Sequence, residues 1–197
     1  MSRVVVPLAE GFEEIEAVSI IDILRRGGVE VNTVYLKSED PVDALSAAGA
    51  ASDMVLGANG ITIRADMPAD LIVVDEYDAI VLPGGWGGTN RLAESQLVQK
   101  ILKEFAGKGK WVAAMCAAPY ALHVAGVLSE RYTCYPSVEE QIRPADRVAD
   151  EKVVVDGRVI TSQGPGTAIC FALEILAQLE GRESSDSVKN GTLSFHC

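Results

Sequence analysis

Apolar residues recur along this chain in two rhythms, short β-rich runs and stripes spaced 3.6 residues apart, and the two rhythms alternate. Arg3–Leu8 is the first run and reads as a strand. Residues 13–26 follow as a helix, with Ala17, Ile20, Ile21 and Leu24 on one face and Gly27-Gly28 as its stop. Residues 29–36 form a second strand, which completes a βαβ unit of the kind whose crossover is right-handed in a parallel sheet. The rhythm then breaks over residues 37–56, where small residues fill 46–51. Asn59-Gly60, between the short apolar runs Met54–Leu56 and 61–63, predicts a tight turn and a small antiparallel flap.

A connector over 67–74 leads to a strand at Ala79–Leu82, which runs into the loop Pro83-Gly84-Gly85-Trp86-Gly87-Gly88. Residues 95–108 predict an amphipathic helix carrying Leu97, Val98, Ile101, Leu102 and Phe105 on one face. Trp111–Met115 is a fully apolar strand, and residues 117–126 a helix. A short strand is expected at 132–135, stopped by Pro136, and a helical turn at 137–142. Asp156-Gly157 marks a hairpin between 152–155 and 158–161. Gly164-Pro165-Gly166-Thr167 launches a helix over 167–180, and 184–190 adds a last short helix. The tail from about residue 191 is expected to fray. Strands alternating with helices along one domain of residues 1–197 predict an α/β sandwich around a mainly parallel sheet. In such a sheet the ligand site lies beyond the strand C-termini, near a topological switch point. Four stretches end strands at that edge: 8–16, 83–88, 115–118 and 163–167. They should converge around the sulfur of Cys116.

Composition narrows the function classes. The chain has 197 residues, of which 48% are hydrophobic, enough to bury a sizeable core. Acidic residues outnumber basic ones by 28 to 17, and the net charge of −11 argues against nucleic acid or an anionic membrane as partner. No apolar run approaches a membrane span, and the N-terminal stretch lacks the basic and apolar regions of a leader, so a cytoplasmic location is expected. Cys116, Cys134, Cys170 and Cys197 show no CxxC spacing, which predicts free thiols rather than a metal site or a disulfide framework. The two histidines are His123, whose place along the helix directs it away from Cys116 toward packing or the surface, and His196, in the tail.

Cys116 sits where a buried strand turns into a helix. There, helix N–H groups behind the sulfur lower a thiol's pKa, as at a nucleophile elbow. The alternative is a buried structural cysteine. Gly84 and Gly85, after the preceding strand, leave backbone amides open, and the Gly85 and Ala117 amides suit an oxyanion hole. The same glycines also suit a plain tight turn. No phosphate-loop spacing is present. Glu13 and Glu14 read as N-terminal acids complementing the helix dipole. Glu16 shares a face with Ile20, so its carboxyl faces the sheet and must be paired or protonated. Beside a cysteine it can share a proton with the sulfur. With histidine this scarce, the pairing left for Cys116 is a carboxyl.

Four motifs, GFEEIEA (11–17), YDAIVLPGG (77–85), AAMCAAPYAL (113–122) and TSQGPGTA (161–168), together resemble the ThiJ/PfpI superfamily. The similar branch holds the human parkinsonism-associated protein deglycase and bacterial ThiJ-like proteins. The resemblance implies a flavodoxin-like three-layer sandwich and a homodimer formed partly through the first helix. It implies a redox-sensitive nucleophile at Cys116 hydrogen-bonded to a protonated Glu16, with the Gly85 and Ala117 amides lining the pocket and Gly164, Pro165 and Gly166 nearby. Activities in this branch need no cofactor or metal. They are conversion of methylglyoxal or glyoxal to hydroxy acids, deglycation of adducts, and chaperoning of unfolded clients under oxidative stress, with cysteine sulfinate as the associated switch. One position departs from the pattern: the glyoxalase relatives carry a histidine before the later proline, where this chain has Tyr135 before Pro136. A tyrosine can hydrogen-bond a substrate but does not shuttle protons as imidazole does. A peptidase is disfavoured because Ala117, not histidine, follows the cysteine. An amidotransferase is disfavoured because no downstream His-x-Glu pair exists.

Overall fold

Alternate side chains of β1 (Arg3–Leu8) enter two different cores, which fixes the layering of the molecule. Val4, Val6 and Leu8 face one side of the sheet and Val5 the other. The computed structural model describes residues 1–36 and 53–197. The small-residue run at 46–51 lies outside the described residues. Around β1 stand β2 (Glu30–Tyr35), β5 (Met67–Pro68), β6 (Ala79–Leu82), β7 (Trp111–Met115), β8 (Val153–Asp156) and β9 (Val159–Ser162). Their order is β5-β2-β1-β6-β7-β9-β8, parallel throughout except for β8 against β9. The chain moves outward from β1 to β2 and then back across β1 to β6, which puts the switch point between β1 and β6.

Helix α1 (Glu14–Arg26) covers one face through Ala17, Ile20 and Leu24, together with α5 (Ala168–Glu180) and α6 (Arg182–Gly191). Helices α2 (Trp86–Glu94), α3 (Gln96–Gly107) and α4 (Pro119–Ala125) cover the other. This is the three-layer flavodoxin-like arrangement expected from the alternation. The flap is present as β3 (Met54–Leu56) paired antiparallel with β4 (Thr62–Arg64). No helix among the described residues is long and apolar enough to cross a membrane.

Several expectations change. The glycine-rich stretch after Gly85 is helix α2, not loop. Gly87 and Gly88 lie so close to the backbone of Gly11 and Phe12 that an added Cβ would meet it at 3.1 and 3.0 Å, so close packing explains glycines in a helix. Leu97, placed on the apolar face of α3, is 37% exposed, whereas Val98, Ile101, Leu102 and Phe105 are buried. Residues 132–135 are not a sheet strand. Tyr132 makes one isolated bridge to Arg147, and its ring joins Ala117, Cys134 and Val138 in a small apolar cluster above the strand ends.

Cys170 and Cys197 form a disulfide, and only Cys116 and Cys134 are free. Spacing rules miss this pair because the two cysteines, 27 residues apart, meet only after α6 folds back along α5. The tail is accordingly seated rather than frayed. Ser194 is buried, its N–H donates to the Lys189 carbonyl at 3.0 Å, and Lys152 Nζ donates to the His196 carbonyl at 2.6 Å.

Candidate active site

The chain leaves β7 at Met115, and Cys116 takes a left-handed backbone conformation with φ 60°. Such a conformation costs an L side chain roughly 1–2 kcal/mol. Both ends of the turn are fixed. The Cys116 N–H donates to the Ser162 carbonyl at 3.0 Å, and the Tyr135 N–H donates to the Cys116 carbonyl at 2.9 Å. The residue is 9% exposed, so the thiol sits just below the surface.

Glu16 is delivered from the neighbouring strand connection. The first turn of α1 is capped by Glu13, whose side chain accepts from the Glu16 N–H at 2.8 Å. The Glu13 N–H in turn donates to the Gly84 carbonyl at 2.9 Å, which ties the α1 turn to the end of β6. Glu16 is fully buried, and its Oε2 accepts from the Gly84 N–H at 2.7 Å. Oε1 has no partner of that kind, and the carboxyl's remaining interaction is with the Cys116 thiol. The backbone amides of Gly85 and Ala117 also point at the sulfur. The structure therefore brings Cys116, Glu16, Gly84, Gly85 and Ala117 together at the switch point.

The electrostatics differ from the simple helix-dipole expectation. Burial, then the Glu16 carboxylate as a charge and as an acceptor, push the Cys116 thiol up to about 12, against the downward pull of the Gly85 and Ala117 amides. The helix that begins at Pro119 has only seven residues and contributes little field. Burial likewise raises the Glu16 carboxyl to about 7, against the lowering hydrogen bonds from Cys116 and Gly84 and with a small upward push from Glu13. The carboxyl is therefore the first of the pair to ionise, and its carboxylate then accepts from the protonated thiol.

Tyr135 is half exposed, and its ring lies against Gly164, where a Cβ would meet Cδ2 at 3.1 Å. Gly164 thus packs against Tyr135, and Pro165 follows it into the short 3-10 turn that precedes α5. Trp86 and Tyr120 pack edge to face nearby, their ring centroids 6.1 Å apart. His123 lies in the last turn of α4.

Glu14 is a correction. It is not a solvated dipole acid but a buried anchor. Its Oε1 accepts from the Asn59 N–H at 2.5 Å and its Oε2 from Asn59 Nδ2 at 2.9 Å. Burial raises its pKa, but these Asn59 bonds and the Ile61 N–H outweigh that and lower it overall. The flap is also sewn to the site turn by Gly11 N–H to the Leu56 carbonyl and Ala58 N–H to the Phe12 carbonyl, both 2.8 Å. Nothing in the periodicity around Glu14 signals this role. The Glu13 cap was detectable, three residues before Glu16 at a helix start.

Residues 2–178 match the DJ-1/PfpI family model. Protein dj-1beta of Drosophila melanogaster is 38% identical over 188 residues, 94% of each chain. The chain belongs to the DJ-1/PfpI family. Among its DJ-1 relatives, glutathione-independent glyoxalase DJR-1.2 of Caenorhabditis elegans is 36% identical over 180 residues, covering 91% of this chain and 89% of the relative. The crystal structure of Drosophila DJ-1beta superposes on this DJ-1/PfpI chain with a TM-score of 0.86, covering 98% of each chain.

Proposed function

We propose that this protein is a redox-sensitive cysteine protein of carbonyl and oxidative stress defence, with weak cofactor-free activity on methylglyoxal, glyoxal or their adducts. The observation that carries this reading is the buried pairing of the Cys116 thiol with the Glu16 carboxyl beneath two inward-pointing amides. In the proposed reaction the Cys116 sulfur attacks the aldehyde carbon of methylglyoxal as Glu16 takes up the thiol proton. A C–S bond forms as the carbonyl π bond opens, and the Gly85 and Ala117 amides hold the oxygen. Glu16 then delivers that proton to the ketone oxygen and moves the aldehyde-carbon proton to the neighbouring carbon, giving a thioester that water hydrolyses to lactate and free thiol. The DJR-1.2 relative, named a glutathione-independent glyoxalase, supports the substrate class. Tyr135, in place of an imidazole, argues for slow turnover.

The test is lactate production from methylglyoxal without glutathione. Wild type should turn over, Cys116→Ser should not, and Glu16→Gln should be strongly reduced. No lactate from wild type at millimolar substrate would remove the enzymatic reading.

A non-enzymatic reading is favoured by the same amides, which suit the oxygens of a cysteine sulfinate as well as an oxyanion. Peroxide should add two oxygens at Cys116 in preference to Cys134, which is fully buried beside the Glu139 carboxylate at 3.7 Å. Equal oxidation of both would count against this role. We also propose a homodimer through α1, supported by Ile15 and Val18, which lie 59% and 49% exposed on that helix. Light scattering of wild type against Val18→Glu tests it.

A further inference from the structure

A cavity of about 350 Å³ opens between β8, α5, α6 and the tail, and none of the residues lining it belongs to the Cys116 site. Cys170 and Cys197 lie in its wall, and the ligand-capable atoms of Cys170, His196 and Cys197 fall within 4.8 Å of one another. We propose that, once the Cys170–Cys197 bond is reduced, these three side chains form a thiolate-rich site for a soft divalent cation, zinc first among them. The tail is then closed onto α5 either by a disulfide or by a metal, never by both.

Three features of the structure support this. A tetrahedral zinc with Zn–S about 2.3 Å and Zn–N about 2.0 Å spaces its ligand atoms roughly 3.5–4 Å apart, so once the S–S bond is broken the two sulfurs need only separate to that spacing, with the His196 imidazole already within 4.8 Å of both. Two thiolates and an imidazole are the donor set that prefers zinc over magnesium or calcium, with water as the fourth ligand. The backbone that carries His196 and Cys197 is already held. The Lys152 ammonium binds the His196 carbonyl, the Cys197 N–H donates to the Ser194 carbonyl at 3.1 Å, and Ser185 Oγ ties α6 to the Leu173 carbonyl at 2.8 Å. Little chain ordering remains to oppose binding. Around the site the carboxylates of Glu151, Glu174 and Asp186 balance Lys152, Arg182 and Lys189. The two thiolates therefore supply the charge that a divalent ion neutralises.

The chemistry balances with a phosphine reductant. The phosphine takes oxygen from one water and the two sulfurs take its protons as the S–S bond breaks. The cation then displaces those two protons.

The experiment uses the full chain in a Cys116→Ser background, reduced with a phosphine or left oxidised, and titrated with Co²⁺ under argon. Reduced protein should bind one Co²⁺ per chain, with a thiolate-to-cobalt charge-transfer band and tetrahedral d–d bands that Zn²⁺ abolishes. Oxidised protein should show neither. Cys197→Ser, a change at an exposed tail residue, should lose the charge-transfer intensity. His196→Ala should weaken binding by more than the roughly ten-fold that loss of an outer partner costs. Absence of the tetrahedral spectrum in reduced protein, its persistence in Cys197→Ser, or its appearance in oxidised protein would each overturn the proposal.

Discussion

Gly84 and Cys116 touch with no room between them: a Cβ on Gly84 would lie 2.5 Å from the Cys116 Cβ and 2.7 Å from Glu16 Oε2. A methyl group there must displace either the nucleophile or its carboxyl partner. Gly84→Ala should cost about 1–3 kcal/mol of stability by overpacking. It should also change the rate of Cys116 alkylation, read by urea unfolding and iodoacetamide kinetics on the same preparation.

Glu16 sets the pH profile of Cys116. The carboxyl loses its proton at about 7, and from there its carboxylate, together with burial, holds the thiol up at about 12. Glu16→Gln removes the carboxylate and leaves burial, so the midpoint of Cys116 alkylation should fall relative to wild type and the rate at mildly alkaline pH should rise. Iodoacetamide kinetics against pH read the shift, and an unchanged midpoint would show that the carboxyl does not act on the thiol.

The same carboxyl should leave a mark on folding. An ordinary glutamate titrates at 4.5, and Glu16 in the folded protein at about 7, so the folded state binds this proton more tightly. The linked stabilisation is complete below pH 4.5 and is lost as pH rises through 7, a span worth about 3 kcal/mol. Denaturant unfolding of wild type minus Glu16→Gln isolates it. The difference should move against wild type between pH 4.5 and pH 8, and a flat difference would contradict the raised carboxyl.

Removing the flap anchor should loosen one element selectively. Glu14→Ala leaves the Asn59 and Ile61 amides without their acceptor and should cost about 1–3 kcal/mol. Hydrogen exchange should accelerate at Asn59 and Ile61 before it does in β6 or β7.

Tyr135 offers a gain-of-function test. Its N–H is bonded to the Cys116 carbonyl and its ring lies against Gly164, so its backbone is one hydrogen bond from the nucleophile's. Tyr135→Phe should change methylglyoxal turnover less than about three-fold. Tyr135→His adds a group titrating near neutrality and should raise turnover about ten-fold or more.

How much of this was legible in the sequence depended on whether the signal was local. The strands around Val81 and Ala113 and the α1 stripe of Ala17, Ile20 and Leu24 announce themselves by periodicity, and the mainly parallel sheet follows from their alternation with helices. The inward turn of Glu16 was readable because Ile20 stands one helical turn on. Helix α2 was not, because its glycines answer to the backbone of Gly11 and Phe12, far away in sequence. The Cys170–Cys197 bond and the Glu14–Asn59 anchor were hidden for the same reason, since each joins segments that only the folded chain brings together. The thiol's electrostatics were misjudged in sign because the dipole argument weighed the helix and omitted burial.

The left-handed backbone at Cys116 has an evolutionary corollary. Glycine would occupy φ 60° without the steric penalty of roughly 1–2 kcal/mol that a side chain meets there. A lineage that no longer used the sulfur would be free to drift to glycine at this one position. The residue found at 116 in any descendant is thus a marker of whether its chemistry is still under selection.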